Sequence, residues 1–223
     1  MSEAQAQPAF KPYCFEGNPN GSPRILILGH SLTLHLPKAD IGWHGAWGMA
    51  ASCKENDYAH RVIAGLSDVY PDAAYCIVSG SSWEVSYRNC DYERNFAAVR
   101  NFQPDVIYCC LCENIPMDTF EKEPFKENLH KLFVYLSGRD ALSPVLLASS
   151  FYNVAVKNEA LAEYADEHEN CTLLPISDLV ADESNLAVGL FEHPGVQHHP
   201  GDKGMQALAD RIVPALKKIL SAH

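Results

Sequence analysis

Short apolar runs that alternate with stretches of helical periodicity constrain the fold of this 223-residue chain more than any other feature. The apolar runs cover residues 24–28, 73–78, 105–111, 144–148 and 171–174. Apolar residues recur at helical spacing over residues 57–70, 91–102, 118–136, 158–168 and 203–221. Because near-continuous apolar strands separated by helices are typical of parallel sheets covered on both faces, we expect a three-layer α/β/α sandwich with a mainly parallel five-stranded sheet.

The first 23 residues differ from the rest of the chain. They are rich in proline and glycine and show no hydrophobic periodicity. We therefore predict an irregular N-terminal arm over residues 1–23 and a single domain over residues 24–223. No internal repeat or linker divides the longer segment, whose length suits one α/β domain.

The charge balance excludes several classes of partner. With 17 basic and 28 acidic residues the net charge is −11, and no cluster of Lys or Arg interrupts it, so we expect no nucleic-acid partner. No apolar run is long enough to span a membrane, and an acidic chain is repelled by anionic lipid, so we expect no membrane partner. Residues 1–14 lack the basic start and apolar stretch of a signal peptide, which predicts a cytoplasmic protein.

Eight cysteines are present, and we expect them to be reduced. Cys76, Cys109, Cys110 and Cys112 lie in or next to apolar strand-like runs, where cysteine behaves as a small hydrophobic residue. A zinc site at the last three is disfavoured, because neighbours on a strand point to opposite faces.

Polar residues suited to acyl transfer follow several predicted strands. Ser31 follows the first strand, Gly80 the second and Asn114 the third, while His199 precedes the last helix. The carboxyl ends of parallel strands meet at one edge of a sheet, where ligands of such folds bind. A serine hydroxyl, glycine N–H groups, an asparagine amide and a histidine are the nucleophile, oxyanion donors and general base that acyl transfer needs.

These blocks, in this order, resemble those of the SGNH (GDSL-type) hydrolase superfamily over nearly the full length of the chain. The resemblance implies the flavodoxin-like SGNH fold, with Ser31 as the nucleophile. It also implies an oxyanion hole formed by Ser31, Gly80 and Asn114, with Ser81 or Ser82 as the aligned residue if the second loop is shifted. Residues 41–52 and 57–58 further resemble a subgroup of bacterial SGNH proteins.

The last block and two other positions depart from the family pattern. His199, followed by proline, matches the catalytic base, but Val196 stands three residues before it, where the family usually has the triad aspartate. Loss of that acid costs serine proteases roughly 10⁴-fold in turnover. We expect a backbone carbonyl, for instance that of Val196, to orient His199, the alternatives being Glu192 or another carboxylate, or a poor hydrolase. His30 replaces the usual aspartate before the nucleophile, and Cys112 a usual glycine.

The chain is thus expected to hydrolyse a small-molecule ester with a small acyl group, such as acetyl on a carbohydrate, without cofactor or metal. Two alternatives remain open. One is a catalytically weak SGNH-like protein that binds a carbohydrate or acyl ligand. The other is a metal-dependent hydrolase that uses the His193 to His199 cluster. The oligomeric state stays open.

Several residues are left undecided between two roles. Trp43, Trp47 and Trp83 suit either stacking on a sugar or buried packing, and Glu84 and Glu113 either a pocket or a solvated loop. If His199 must be neutral to act, kcat/KM is expected to fall on the acid side near the pKa of free histidine, about 6.5.

Overall fold

The structure is a computed structural model that describes residues 11–222. Its centre is a six-stranded sheet with the order β1-β3-β2-β4-β5-β6, in which β2 to β6 are parallel and β1 is antiparallel to β3. The strands are β1 (Tyr13–Gly17), β2 (Arg24–Gly29), β3 (Ala74–Ser79), β4 (Val106–Cys110), β5 (Val145–Ala148) and β6 (Cys171–Leu174). The five parallel strands have the flavodoxin-like order that the resemblance implied.

Helices cover both faces of the sheet. They are α1 (Tyr58–Leu66), α2 (Ser81–Glu84), α3 (Tyr92–Arg100), α4 (Lys122–Ser137), α5 (Ala155–Glu167), α6 (Pro194–Gln197) and α7 (Asp202–Leu220). Side chains of α3, α4 and α5 form one apolar core with one face of the sheet, and those of α1 and α7 form a second core with the other face. The three-layer sandwich predicted from the sequence is confirmed.

The strand count and the N-terminal arm require correction. Five strands were expected, and the sixth is β1, which lies inside the segment predicted to be irregular. Its register, with Tyr13 opposite Val78 and Gly17 opposite Ala74, is set by hydrogen bonds to the edge of β3 rather than by its own sequence. Residues 1–10 of the predicted arm lie outside the described residues.

The helix starts show how local sequence fixes the elements near the site. Asp57 caps α1, because its carboxylate accepts the N–H of His60 at 2.8 Å. Gly201 is the N-cap of α7, and the carboxylate of the next residue, Asp202, accepts the backbone N–H of Ser52 at 2.8 Å. This contact joins the start of α7 to the loop before α1.

The cysteine side chains and the lengths of the helices are two further features of the fold. All eight cysteines are free thiols, and the four assigned to apolar runs are buried. None of the helices within residues 11–222 is both long enough and apolar enough to cross a membrane.

Candidate active site

Ser31 lies just past the carboxyl end of β2, between the loops that follow β3 and β4. The chain turns there because the N–H groups of Thr33 and Leu34 both donate to the carbonyl of His30, at 2.9 and 3.1 Å. Gly29 permits this turn, since a Cβ at that position would collide with the Thr33 side chain. The turn presents the Ser31 hydroxyl at the carboxyl edge of the sheet.

His199 contacts the Ser31 hydroxyl directly. Its Nε2 lies 2.7 Å from Ser31 Oγ, and its Nδ1 lies 2.7 Å from the carbonyl oxygen of Gly195. A carbonyl only accepts, so Nδ1 carries the proton and Nε2 presents its lone pair to the serine. The ring is therefore held in the tautomer that a general base requires.

The partner of His199 is a backbone carbonyl, but a different one from that expected. The carbonyl of Val196 accepts the backbone N–H of His199 at 3.0 Å, and the carbonyl of Gly195, one turn back along α6, reaches the ring. The Val196 side chain is fully buried, and Glu192 is exposed. Among the described residues no carboxylate takes the place of the triad acid on the His199 ring.

Burial also sets the protonation state of His199. It lowers the pKa of the imidazole to about 4, an effect that the Gly195 hydrogen bond opposes and that the nearby imidazoles of His30, His35 and His198 reinforce. His199 is consequently neutral, and able to accept a proton, over the whole range in which most enzymes work.

His30 is a second imidazole beside the Ser31 hydroxyl. It is 1 % exposed, its Nδ1 lies 3.4 Å from Ser31 Oγ, and its Nε2 has no hydrogen-bond partner among residues 11–222. Burial lowers its pKa to about 4. It is a neutral, buried ring where the family usually has aspartate.

The Gly80 N–H does not point to the site. It donates to the carbonyl of Gly29 at 2.6 Å, which continues the pairing of β3 with β2. A Cβ at Gly80 would lie 2.9 Å from the Leu111 side chain, so the absence of a side chain serves close packing. In this geometry the Gly80 N–H is therefore not free to bind an oxyanion, whereas the shifted alignment would use the N–H of Ser81. Ser81 opens α2, and in the described structure its N–H has no acceptor.

Asn114 is held by Glu84. The Asn114 Nδ2 donates to Glu84 Oε2 at 2.5 Å, and its backbone N–H to Oε1 at 3.3 Å. The second N–H of that amide group has no acceptor among the described residues. Glu84 is 1 % exposed, and burial raises its pKa above the usual value although the N–H donors and Lys157 oppose the shift. Of the two carboxylates that the sequence left undecided, Glu84 thus joins α2 to the loop after β4.

Cys112, at a position where the family usually has glycine, adopts a backbone conformation that favours glycine. Its φ is +135°, which L residues rarely adopt and which costs roughly 1–3 kcal/mol. Its N–H donates to Glu84 Oε1 at 2.7 Å, and its carbonyl accepts from the Lys157 ammonium at 2.8 Å. Glu113, the other undecided carboxylate, accepts the Phe151 N–H at 2.6 Å and so ties the same loop to the end of β5.

Comparison with known proteins gives the fold a name. No sequence-family model matches the chain, and no curated protein matches it by sequence. Among solved structures it is similar to the psychrotrophic esterase EstA from Pseudoalteromonas sp., at 15% identity and a TM-score of 0.59 over 89% of this chain and 99% of that one. A family two carbohydrate esterase from Clostridium thermocellum gives 14% identity and a TM-score of 0.62, over 90% and 65% of the two chains.

A two-domain esterase (CEX) active on acetylated mannans is also similar, at 19% identity and a TM-score of 0.52 over 88% of this chain. This chain spans about half of that esterase, 49% of its length. All three neighbours are esterases. The chain has the SGNH hydrolase fold.

A tryptophan loop, residues 43–51, contacts both the segment that follows β2 and the segment that precedes α7. Trp43 and Met49 pack with Val196 in a small separate core. The Met49 N–H donates to the Ser31 carbonyl at 2.9 Å, and the Gly48 N–H to the buried Asp57 carboxylate at 3.0 Å. The loop therefore contacts the Ser31 backbone, the Val196 side chain and the start of α1 directly.

Two of the three tryptophans are placed for packing rather than for stacking on a sugar. Trp43 and Trp83 are buried, at 3 % and 0 % exposure, so neither presents a ring face to a ligand. Trp47 is half-buried, and its indole N–H donates to the Ala51 carbonyl at 3.0 Å.

The other two histidines of the cluster before α7 differ in their surroundings. His193 caps α6, because its Nδ1 accepts the Gly195 N–H at 3.1 Å, while His198 is exposed. Within residues 11–222 no group of three or more His, Cys, Asp or Glu side chains is arranged to hold a metal ion.

Proposed function

We propose that this chain is a serine esterase that works with a Ser31–His199 dyad. The observation that carries the proposal is the 2.7 Å contact between Ser31 Oγ and His199 Nε2, with Nδ1 committed to the Gly195 carbonyl. Only one tautomer satisfies both contacts, and in that tautomer the histidine accepts the serine proton.

In the proposed mechanism the reaction has two halves. Ser31 Oγ attacks the acyl carbonyl while His199 Nε2 takes its proton, and the imidazolium then gives that proton to the leaving alcohol. Water attacks the resulting acyl-enzyme with His199 again as the base, which releases the acid and restores the hydroxyl. The Gly195 carbonyl dipole favours the imidazolium less than a carboxylate would.

The oxyanion hole that we propose consists of the N–H groups of Ser31 and Ser81 and the side-chain amide of Asn114. In the described structure both backbone N–H groups lack an acceptor, which leaves them available to the developing charge. The Asn114 amide donates one N–H to Glu84, and its second N–H would donate to the oxyanion. Gly80 is replaced by Ser81 in this set because its own N–H is already bonded.

The substrate that we propose is a small acyl ester, with acetyl as the first candidate and a carbohydrate as one candidate alcohol. Support comes from the structural neighbours, which include an esterase active on acetylated mannans and an acetyl esterase studied with acetate. The cytoplasmic location and the bacterial origin stay predictions.

The direct test is hydrolysis of p-nitrophenyl acetate and of longer p-nitrophenyl esters. We expect Ser31→Ala and His199→Ala each to lower kcat by about 10³-fold or more, because the nucleophile and its base act as one unit. Two matched controls are Ser67→Ala, at an exposed serine after α1, and His198→Ala, at the exposed neighbour of the base. We expect both controls to retain the wild-type rate.

Three outcomes contradict the proposal in different ways. A wild type no faster than Ser31→Ala rules out ester hydrolysis at this site. Loss of activity in Ser31→Ala alone contradicts His199 as the base. Faster turnover of long acyl chains than of acetate contradicts the small acyl group and leaves the dyad in place.

A further inference from the structure

The loop that carries Asn114 is held from two sides by buried charged groups. Residues 112–115 follow β4, and the loop places Asn114 between α2 and α5. Glu84 at the end of α2 and Lys157 in the first turn of α5 are 1 % and 2 % exposed. Charged side chains are seldom buried so completely unless every polar atom has a partner.

Lys157 donates all its hydrogen bonds to this loop. Its ammonium has three N–H groups, and it donates to the carbonyls of Cys112, Glu113 and Ile115 at 2.8, 3.3 and 2.7 Å. The loop thus wraps around the ammonium with its carbonyls pointing inward.

Glu84 binds the opposite side of the same loop. Its Oε1 accepts the N–H groups of Cys112 and Asn114, at 2.7 and 3.3 Å, and its Oε2 accepts the Asn114 side-chain amide. Cys112 is therefore bound through its N–H and its carbonyl at once, which holds a residue with φ +135° in a conformation that it would otherwise leave.

We propose that Glu84 and Lys157 are positioning residues that together hold the 112–115 loop so that the Asn114 amide faces the oxyanion. This proposal rests on the proposed esterase function. Neither residue touches the substrate: Glu84 orients the amide itself, and Lys157 fixes the carbonyls on the other side of the same turn.

The kinetic consequence follows from where Asn114 acts. An oxyanion donor binds charge that develops only in the transition state, so its loss lowers kcat with little change in KM. Removal of one such donor costs about 10²- to 10³-fold in kcat. Because Lys157→Met and Glu84→Gln displace the donor without removing it, we expect each to lower kcat by about 10- to 100-fold.

A double-mutant cycle distinguishes positioning from a general structural role. If Glu84 and Lys157 act through Asn114, then Lys157→Met and Glu84→Gln have no further effect on kcat, within about twofold, once Asn114 is Ala. Lys126→Met is the matched control, since Lys126 is also largely buried but pairs with Glu163 and Glu167 on α5, away from the site. We expect it to lower the melting temperature and leave kcat unchanged.

Relief of the backbone strain gives a second readout. Glycine adopts a φ of +135° freely, so Cys112→Gly lets the loop keep its shape with less help from the two charges. We expect Lys157→Met with Cys112→Gly to turn over several-fold faster than Lys157→Met alone. If Lys157→Met does not fold, Glu84→Gln, which preserves the shape of the side chain, carries both comparisons.

The outcomes separate the two proposals. A wild type no faster than Ser31→Ala overturns the esterase and with it the positioning role. A wild type that depends on Ser31, together with Glu84→Gln and Lys157→Met within twofold of its kcat, overturns the positioning role alone. The positioning role is equally overturned if the two substitutions cost as much in the Asn114→Ala background as in the wild type.

Discussion

The pH dependence of the reaction tests the state of His199 more sharply than any substitution. The sequence predicted an acid limb near the pKa of free histidine, about 6.5. In the structure, burial lowers the pKa of His199 to about 4, and the hydrogen bond to the uncharged Gly195 carbonyl opposes that shift only in part. A base must be neutral to act, so a lower pKa extends activity to lower pH.

The size of the effect is large at a moderately acid pH. At pH about 5.5, a histidine of pKa about 4 is roughly 97% neutral, whereas one of pKa about 6.5 is roughly 9% neutral. The two cases therefore differ about tenfold in kcat/KM relative to the value at neutral pH. We expect a profile of kcat/KM that is flat from pH about 8 to about 5 and falls only below that.

The assay is kcat/KM for p-nitrophenyl acetate between pH 4 and 8, followed at a wavelength where nitrophenol and nitrophenolate absorb equally. Aliquots returned to neutral pH show whether activity lost in acid comes back, which separates titration from unfolding. A reversible acid limb centred above pH about 6 would refute the reasoning. It would mean that a charged partner reaches the His199 ring in solution.

Three further predictions follow from the site. We expect Val196→Asp, which restores the usual triad residue, to lower the free energy of unfolding by about 3 kcal/mol or more without raising kcat. The reason is that the Val196 side chain is fully buried and that Nδ1 of His199 already has its acceptor. Urea unfolding and steady-state kinetics measure the two quantities, and a higher kcat would contradict the prediction. Burial lowers the pKa of His30 to about 4, so its neutral form stabilises the fold fully above pH about 6.5, and this stability is lost as the pH falls toward 4. We expect His30→Asn to reduce the loss in unfolding free energy between pH 7 and 4.5 by about 2–3 kcal/mol. An unchanged loss would count against a buried neutral ring. Asp57→Ala removes the α1 cap and the acceptor of the Gly48 N–H. We expect it to lower the free energy of unfolding by about 3 kcal/mol and the melting temperature by roughly 6–12 °C. A shift under about 2 °C in scanning calorimetry would exclude the role given to this carboxylate.

The parallel part of the fold was predictable because its signals are local. Each strand from β2 to β6 is an apolar run, and each long helix shows its own periodicity. Strand β1 was missed because Tyr13–Gly17 is partly exposed and lies among prolines and glycines, and only the free edge of β3 makes it a strand. Pairing of this kind depends on residues about sixty positions away, which a local pattern does not contain.

The candidate site likewise has a part that the sequence predicts and a part that it does not. The order of the blocks led to Ser31, Asn114 and His199, and the structure places the first and last in contact. The sequence could not show that the Gly195 carbonyl binds the His199 ring or that the Gly80 N–H is already bonded. Both contacts depend on how one turn of backbone is oriented.

The buried charges were also beyond the sequence. Glu84 and Lys157 look like surface residues in a linear sequence, and their burial arises from three segments that meet only in the folded protein. Two signals were available. One is a lysine in the first turn of a helix, and the other is a non-glycine residue at a usual glycine position in the loop that faces it.

The contact between Ser31 and His199 joins positions 168 residues apart. Ser31 lies just past the end of β2, whereas His199 lies just before α7, which packs on α1. During synthesis the hydroxyl is therefore made early and stays without its base until almost the whole domain has left the ribosome and α7 has docked. A half-finished chain cannot hydrolyse an ester by this route, so the appearance of activity would report the last step of folding rather than the first.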